Sequence, residues 1–190
     1  FHESLNMASI FNLPVVFVFQ NNGWAISTPT SRQSATPTFA EKACAYGMKG
    51  ERVDGNDVFA IYRTIKNYAD RARSEFKPAL IELVTYRIDD HTTADDATRY
   101  RSDAEVEEWR KKDPVDRLKK YMQHELAWTK LEDQEIVDDC TKEVEGAVKE
   151  YLNFPKADAR HIFKYMYADM PWHLKEAMAD VEYWMKEGGN

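Results

Sequence analysis

The stretch Val15-Val16-Phe17-Val18-Phe19-Gln20-Asn21-Asn22-Gly23-Trp24-Ala25-Ile26 constrains this chain most. It begins as a near-continuous apolar run, the pattern of a strand buried on both faces of a parallel sheet. It then breaks into amides and a glycine. Ligands of open parallel sheets bind just beyond the carboxyl ends of the strands, so such a sheet delivers Asn21 and Asn22 to a ligand. An asparagine side-chain oxygen is a neutral hard donor suited to Mg2+ or Ca2+, and Gly23 lets the backbone turn so that a carbonyl near Trp24 can be a second oxygen donor. The same residues also have the composition of a turn that only ends a strand. On the residues alone both readings stand.

The surrounding pattern is that of an α/β chain. Glu3 to about Leu13 reads as a helix end offering Leu5, Ala8 and Ile10 for packing. A Ser/Thr/Pro-rich loop runs from Ser27 to Pro37, and Thr38-Phe39-Ala40-Glu41 is a capping box opening a short helix that stops at Gly47. Lys49–Val53 reads as a short strand. Asp57 caps a helix with Val58, Ile61, Ile65, Tyr68 and Ala72 at the helical period, and Ala79–Tyr86 is a second buried strand. Strands alternating with helices predict a parallel sheet with flanking helices. After about Ser102 the chain reads as helices only. The division expected is therefore residues 1–102 for the α/β part and 103–190 for a helical extension packing on it and on partner subunits. Ser102-Asp103-Ala104-Glu105 is a further capping box, and Ile136, Val137, Cys140, Val144, Ala147, Val148 and Tyr151 form one stripe suited to a core. Aromatic and methionine residues gathered near the terminus suggest subunit contacts.

Two strands of one parallel sheet emerge at the same edge. The segment after Tyr86, from Arg87 to Ser102, therefore belongs with the Asn-Asn turn. It holds four aspartates, three arginines and His91. A loop of this length without structure of its own is functional or disordered, and its charges can pair and order it. Its acidic residues lack the spacing and central glycine of an EF-hand calcium loop. As a bare texture it also fits a solvated linker.

The net charge of -7, with no basic stripe, argues against nucleic acid, and no apolar run is long enough for a membrane span. The two cysteines, Cys44 and Cys140, fit core-facing helix positions, which predicts buried thiols and a reducing compartment.

Phe1-His2-Glu3-Ser4-Leu5-Asn6, Leu13-Pro14 and Asn21-Asn22-Gly23-Trp24-Ala25-Ile26-Ser27 together resemble the second half of the thiamine diphosphate motif. Thr85-Tyr86-Arg87-Ile88, His91, Asp95-Asp96 and Tyr100-Arg101-Ser102, then Trp109-Arg110-Lys111-Lys112-Asp113-Pro114 and Met170-Pro171-Trp172-His173-Leu174, extend the likeness along the chain. The family they resemble is the alpha subunit of the E1 component of 2-oxoacid dehydrogenases. The opening Gly-Asp-Gly of the motif is not in the sequence, and Phe1 falls inside the motif, so the chain is read as the C-terminal half of a larger subunit.

The resemblance implies an enzyme of α2β2 form. Its thiamine diphosphate and Mg2+ lie between the alpha subunit and the E1 beta subunit, and it passes an acyl group to the lipoyl arm of the E2 acyltransferase. It implies Asn22 (side chain) and Trp24 (main-chain oxygen) as Mg2+ ligands, and Asn22, Trp24, Ile26 and His91 as cofactor-binding residues. His91 is the implied catalytic residue. Gln20 stands where some relatives carry a phosphate-binding arginine. Arg87, Asp95, Tyr100 and Arg101 form the charge-paired frame of the loop. Glu3 occupies the place of an acidic residue in a tunnel joining two cofactor sites, which also involves the second alpha subunit. Thr92 and Ser102 stand at phosphorylation positions of relatives. Branched-chain 2-oxoacids are the favoured substrates, with pyruvate the alternative. Location is the cytoplasm in a prokaryote or the mitochondrial matrix in a eukaryote. Two other classes remain: a non-catalytic nucleotide-binding module, although no Gly-rich phosphate loop is visible, and an inert interaction subunit.

Overall fold

A computed structural model describes residues 1–188. They form two compact units, residues 1–129 and the segment from residue 130 onward. In the first unit, α1 (His2–Ile10) leads into β1 (Val16–Asn21), and the short strands β2 (Trp24–Ala25) and β3 (Thr28–Pro29) form an antiparallel pair. A 3-10 segment over Ala40–Tyr46 precedes β4 (Lys49–Asp54), α2 (Val58–Glu75) and β5 (Ala79–Val84). Helices α3 (Asp103–Arg110) and α4 (Pro114–Glu125) complete the unit. The second unit holds α5 (Lys130–Asn153), α6 (His161–Lys164) and α7 (Trp172–Glu187).

The main sheet is parallel in the order β1-β5-β4, with helices flanking it, as the alternation of elements predicts. Its central strand is buried throughout its first four residues. Side chains alternate across a strand, and β5 shows the consequence. Leu80 joins Leu5, Ala43 and Met48 on one face, while Ala79 and Ile81 join Val53 and Tyr68 on the other. α2 supplies the second face with Thr64, Tyr68 and Ala72 buried. Its start is fixed by Asp57, whose carboxylate accepts from the N–H groups of Phe59 and Ala60, both at 3.0 Å. Ser102 and Asp113 cap α3 and α4 in the same way, and Pro114 occupies the first turn of α4, where its missing N–H costs nothing.

Four expectations are corrected. β1 is not buried on both faces: Val18 is 54% exposed, because among the described strands β1 is an edge. Ile10 is likewise exposed, only Leu5 and Ala8 of α1 being buried. Both cysteines are exposed rather than buried. The 3-10 segment, with three residues per turn, buries Ala40 and Ala43 and leaves Cys44 outside. Cys140 lies on α5, none of whose residues is buried. The α5 stripe expected to be core is therefore an exposed apolar face, with Ile136, Val137, Val144, Val148 and Tyr151 all open.

Leu80 carries much of the core of the first unit, being fully buried between its neighbours. Leu80→Ala should cost about 2–5 kcal/mol in urea denaturation, the range for leucine truncation in a packed core. Val115→Ala, at an exposed position, should stay within about 0.5 kcal/mol.

Candidate functional site

The register of the sheet places Asn21 level with Val84 on one side of β5 and Asp54 level with Val84 on the other. All three strands thus end at one edge. The chain continues across that edge by backbone pairing: Thr85 N–H donates to Asn21 O at 2.9 Å, and Arg87 N–H to Asn22 O at 3.2 Å. The two segments singled out in the sequence are therefore joined from their first residues.

The Asn-Asn turn is built by its own side chains. Asn21 Oδ1 accepts from Gly23 N–H at 3.2 Å and from the Thr30 hydroxyl at 3.1 Å. The same hydroxyl and the Thr30 N–H both bond Gly23 O, at 3.0 and 2.9 Å. Gly23 has φ +85°, a left-handed conformation that glycine adopts without strain. Asn22 Oδ1 accepts from Trp24 N–H at 3.1 Å. Asn21 and Asn22 thus have different tasks. Asn21 locks the turn to Thr30. The Asn22 oxygen makes one local bond and keeps a second lone pair for another partner.

The loop after Tyr86 is held by a relay of hydrogen bonds. Arg87 Nη2 donates to Ile26 O at 2.9 Å and to Tyr100 Oη at 2.7 Å. Tyr100 Oη donates to Asp95 Oδ2 at 2.5 Å, and the same carboxylate oxygen accepts from His91 N–H at 2.9 Å. The relay ties the His91 backbone to Ile26. The Tyr100 ring lies 5.3 Å from the Trp24 ring, which adds an aromatic contact between the same two segments. Buried Arg101 donates to the main-chain oxygens of Arg87, Ile88 and Asp89, the last two at 2.6 and 3.0 Å. The frame expected from Arg–Asp charge pairing is instead built otherwise. Arg87 reaches Asp95 through Tyr100, and Arg101 is spent on backbone carbonyls that the loop's irregular path leaves without ladder partners. Asp90 accepts from Ala97 N–H at 3.0 Å.

His91, Thr92 and Ser102 are exposed, Ser102 serving as the cap of α3. Glu3 is exposed on α1, 3.6 Å from the amino group of Phe1. Trp24 also lines a cleft of about 340 Å³ with Thr30, Arg52, Tyr86, Glu105 and Trp109; Asn22, Ile26 and His91 are outside that lining. Tyr86 stacks on Trp109 at 5.2 Å and donates to Glu105 at 2.8 Å. Thr30 and Glu82 were given no role in the sequence, and Tyr86 stood there only as part of the Thr85–Ile88 motif. Glu82 alone left a signal, a carboxylate inside an apolar strand.

No group of three or more His, Cys, Asp or Glu side chains is placed to hold a metal ion among the described residues. The oxygens of the Asn22–Trp24 turn are a different donor set. Amide and main-chain oxygens are hard and neutral, and Mg2+ is held by few protein ligands alongside phosphate oxygens and water. The turn fits such an ion as a partial set, since Asn22 Oδ1 keeps a lone pair beside its bond to Trp24 N–H.

A parallel α/β sheet whose strand ends carry a carboxamide turn paired to an ordered polar loop is the class of protein this geometry defines. The model of the dehydrogenase E1 component family matches residues 1–160, and the chain belongs to that family. The 3-methyl-2-oxobutanoate dehydrogenase subunit alpha of Mycobacterium tuberculosis is 47% identical over 171 residues, covering 89% of this chain and 46% of that protein. The pyruvate dehydrogenase E1 component subunit alpha of Staphylococcus aureus is 42% identical over 177 residues, 93% of this chain and 48% of that protein. The chain spans about half the length of the curated relatives it matches.

The relay has a pH dependence. The Tyr100 hydroxyl, followed by the His91 N–H, holds the Asp95 carboxyl below its ordinary value. A carboxyl depressed in the ordered state stabilises that state above its ordinary pKa and loses the contribution as pH falls through the depressed value. The loop should resist protease at neutral pH and open below the ordinary carboxylate range. Asp95→Asn should remove this acid step, read by pulsed proteolysis of residues 87–102 across pH with an acid-stable protease.

Proposed function

We propose that this chain is part of the alpha subunit of a 2-oxoacid dehydrogenase E1 component, acting in the oxidative decarboxylation of a 2-oxoacid with acyl transfer to the lipoyl group of E2. The observation that carries this reading is the turn at the end of β1. It holds a carboxamide oxygen with an open lone pair at the ligand edge of a parallel sheet, opposite a loop bearing a histidine. Family membership and the two alpha-subunit relatives support it. The higher identity to the M. tuberculosis protein favours 3-methyl-2-oxobutanoate, a branched-chain 2-oxoacid, over pyruvate.

Thiamine diphosphate, when bound, supplies the electron sink for decarboxylation. Asn22 Oδ1 and the Trp24 main-chain oxygen would hold Mg2+, and the Ile26 segment, fixed by Arg87, would contribute to cofactor binding. An imidazole can both donate and accept a proton, which suits His91 to move one during acyl transfer. Its backbone tie to Asp95 leaves the ring free of that carboxylate's grip. Exposed Thr92 and the cap residue Ser102 are the phosphorylation positions. A phosphate at either adds about -1.5 to -2 of charge beside His91 or at the start of α3.

The assembly proposed is α2β2, with the E1 beta subunit completing the cofactor site and E2 as acyl acceptor. Glu3 faces the second alpha subunit in the acidic tunnel. The exposed faces of α5 and α7 suit contacts with partner subunits. Residues 1–102 serve cofactor binding and 103–190 assembly. The compartment is the cytoplasm in a prokaryote or the mitochondrial matrix in a eukaryote.

The full-length subunit assembled with its beta partner tests the division of labour. Asn22→Ala should weaken Mg2+–thiamine diphosphate binding by calorimetry. His91→Ala should leave that affinity nearly unchanged and slow acylation of the E2 lipoyl domain by about 10²–10⁴-fold. Turnover should favour 3-methyl-2-oxobutanoate over pyruvate; the reverse preference makes it a pyruvate enzyme. Wild-type acylation by the His91 variant contradicts its catalytic role.

A further inference from the structure

Glu82 is 1% exposed, a charged residue among the four most deeply buried large side chains of the chain. It sits in the central strand on the same face as Leu80, level with Phe19 of β1 and Arg52 of β4. Burying a carboxylate costs several kcal/mol unless its oxygens are bonded and its charge is met. Both conditions are satisfied here. Oε1 accepts from Asn21 Nδ2 at 2.8 Å, Oε2 accepts from Ala40 N–H at 2.9 Å, and Arg52 Nε stands 3.8 Å away. Apolar residues of similar volume commonly replace such groups without loss of stability. Here, however, an apolar residue would leave the Ala40 N–H and the Asn21 NH2 without an acceptor, so the carboxylate has a structural task at Ala40 and a second task at Asn21.

The second task follows from the symmetry of a carboxamide. The oxygen and NH2 of asparagine have nearly the same shape, and the network around them decides which points where. The Asn21 oxygen must face two donors, Gly23 N–H and the Thr30 hydroxyl. An ionised carboxylate can only accept, so Glu82 draws the NH2 to itself and leaves the oxygen on the turn side. We infer that Glu82 is a positioning residue for the cofactor turn: it orients the Asn21 carboxamide, and Asn21 in turn fixes the Gly23–Thr30 closure on which the placing of the Asn22 oxygen depends. This rests on the proposed function in so far as the turn serves thiamine diphosphate.

A reciprocal exchange tests it in the full-length subunit assembled with its beta partner. Glu82→Gln offers Asn21 and Ala40 one acceptor where they need two. Asn21→Asp sets carboxylate against carboxylate. The double variant Glu82→Gln/Asn21→Asp restores the hydrogen bonds to residue 21 and to Ala40 at unchanged net charge, giving up only the 3.8 Å ion pair with Arg52. Gln accepts from Ala40 and donates to Asp, whose other oxygen still receives Gly23 and Thr30. The readouts are thiamine diphosphate affinity with Mg2+ by calorimetry, amide hydrogen exchange over residues 21–30 without cofactor, and Tm. Each single variant should raise the dissociation constant about 10- to 100-fold, the equivalent of one charge-assisted hydrogen bond, and speed exchange in the turn. The double variant should recover both to within about threefold.

Single variants with lowered Tm but wild-type affinity and exchange in the folded protein make Glu82 merely structural and overturn the inference. A double variant no better than the worse single also overturns it. Should the wild type itself fail to bind thiamine diphosphate while exchange still rises and is rescued, the positioning of the turn stands and the proposed function fails.

Discussion

Parallel pairing of β5 between β1 and β4 is the constraint from which the site follows. It brings Asn21, Val84 and Asp54 to one level, so everything after those residues must leave the sheet at one edge. The Asn-Asn turn and the Arg87–Ser102 loop are far apart in sequence but start as backbone neighbours, with Asn21 O and Asn22 O receiving the N–H groups of Thr85 and Arg87. Little conformational freedom is left to either segment at its root. The candidate site residues lie on loops rooted in a rigid sheet, the usual division in α/β proteins.

From that root the loop is ordered by fixed donors rather than by charge matching. Arg101 is buried and its fork is taken up by three main-chain oxygens, and Arg87 spans from Ile26 to Tyr100. An arginine bonded to carbonyls keeps its geometry whatever the protonation of nearby carboxyls. The Asp95 link is different, because it runs through a carboxylate, so the tie to His91 can be released by acid while the arginine–carbonyl bonds of the frame stay in place.

Much of this was legible in the residues because local rules govern it. The caps at Asp57 and Ser102 each left a short-range signature, and the apolar run of Ala79–Val84 announced a central strand. The shared edge followed from parallel pairing alone. What escaped depends on long-range neighbours. Whether Val18 is covered depends on what lies beside β1. The α5 period gives an apolar face but not its partner, which is why Cys140 was expected inside and lies outside. Arg–Asp pairing was the natural guess for a charged loop. The carbonyls that Arg101 satisfies are invisible until the loop has a path. Glu82 was visible as an anomaly, but its partners Asn21 and Ala40 lie 61 and 42 residues away.

The central claim is that the turn after β1 is the metal-binding half of a cofactor site. Its most direct test is a crystal structure of the full-length subunit, assembled with its beta partner and grown with thiamine diphosphate and Mg2+. The account predicts Asn22 Oδ1 and the Trp24 main-chain oxygen in the coordination shell at about 2.0–2.1 Å, with the Asn21 bonds to Glu82 and Thr30 unchanged. A metal ion bound to the diphosphate with no oxygen from residues 21–26 in its shell would contradict it.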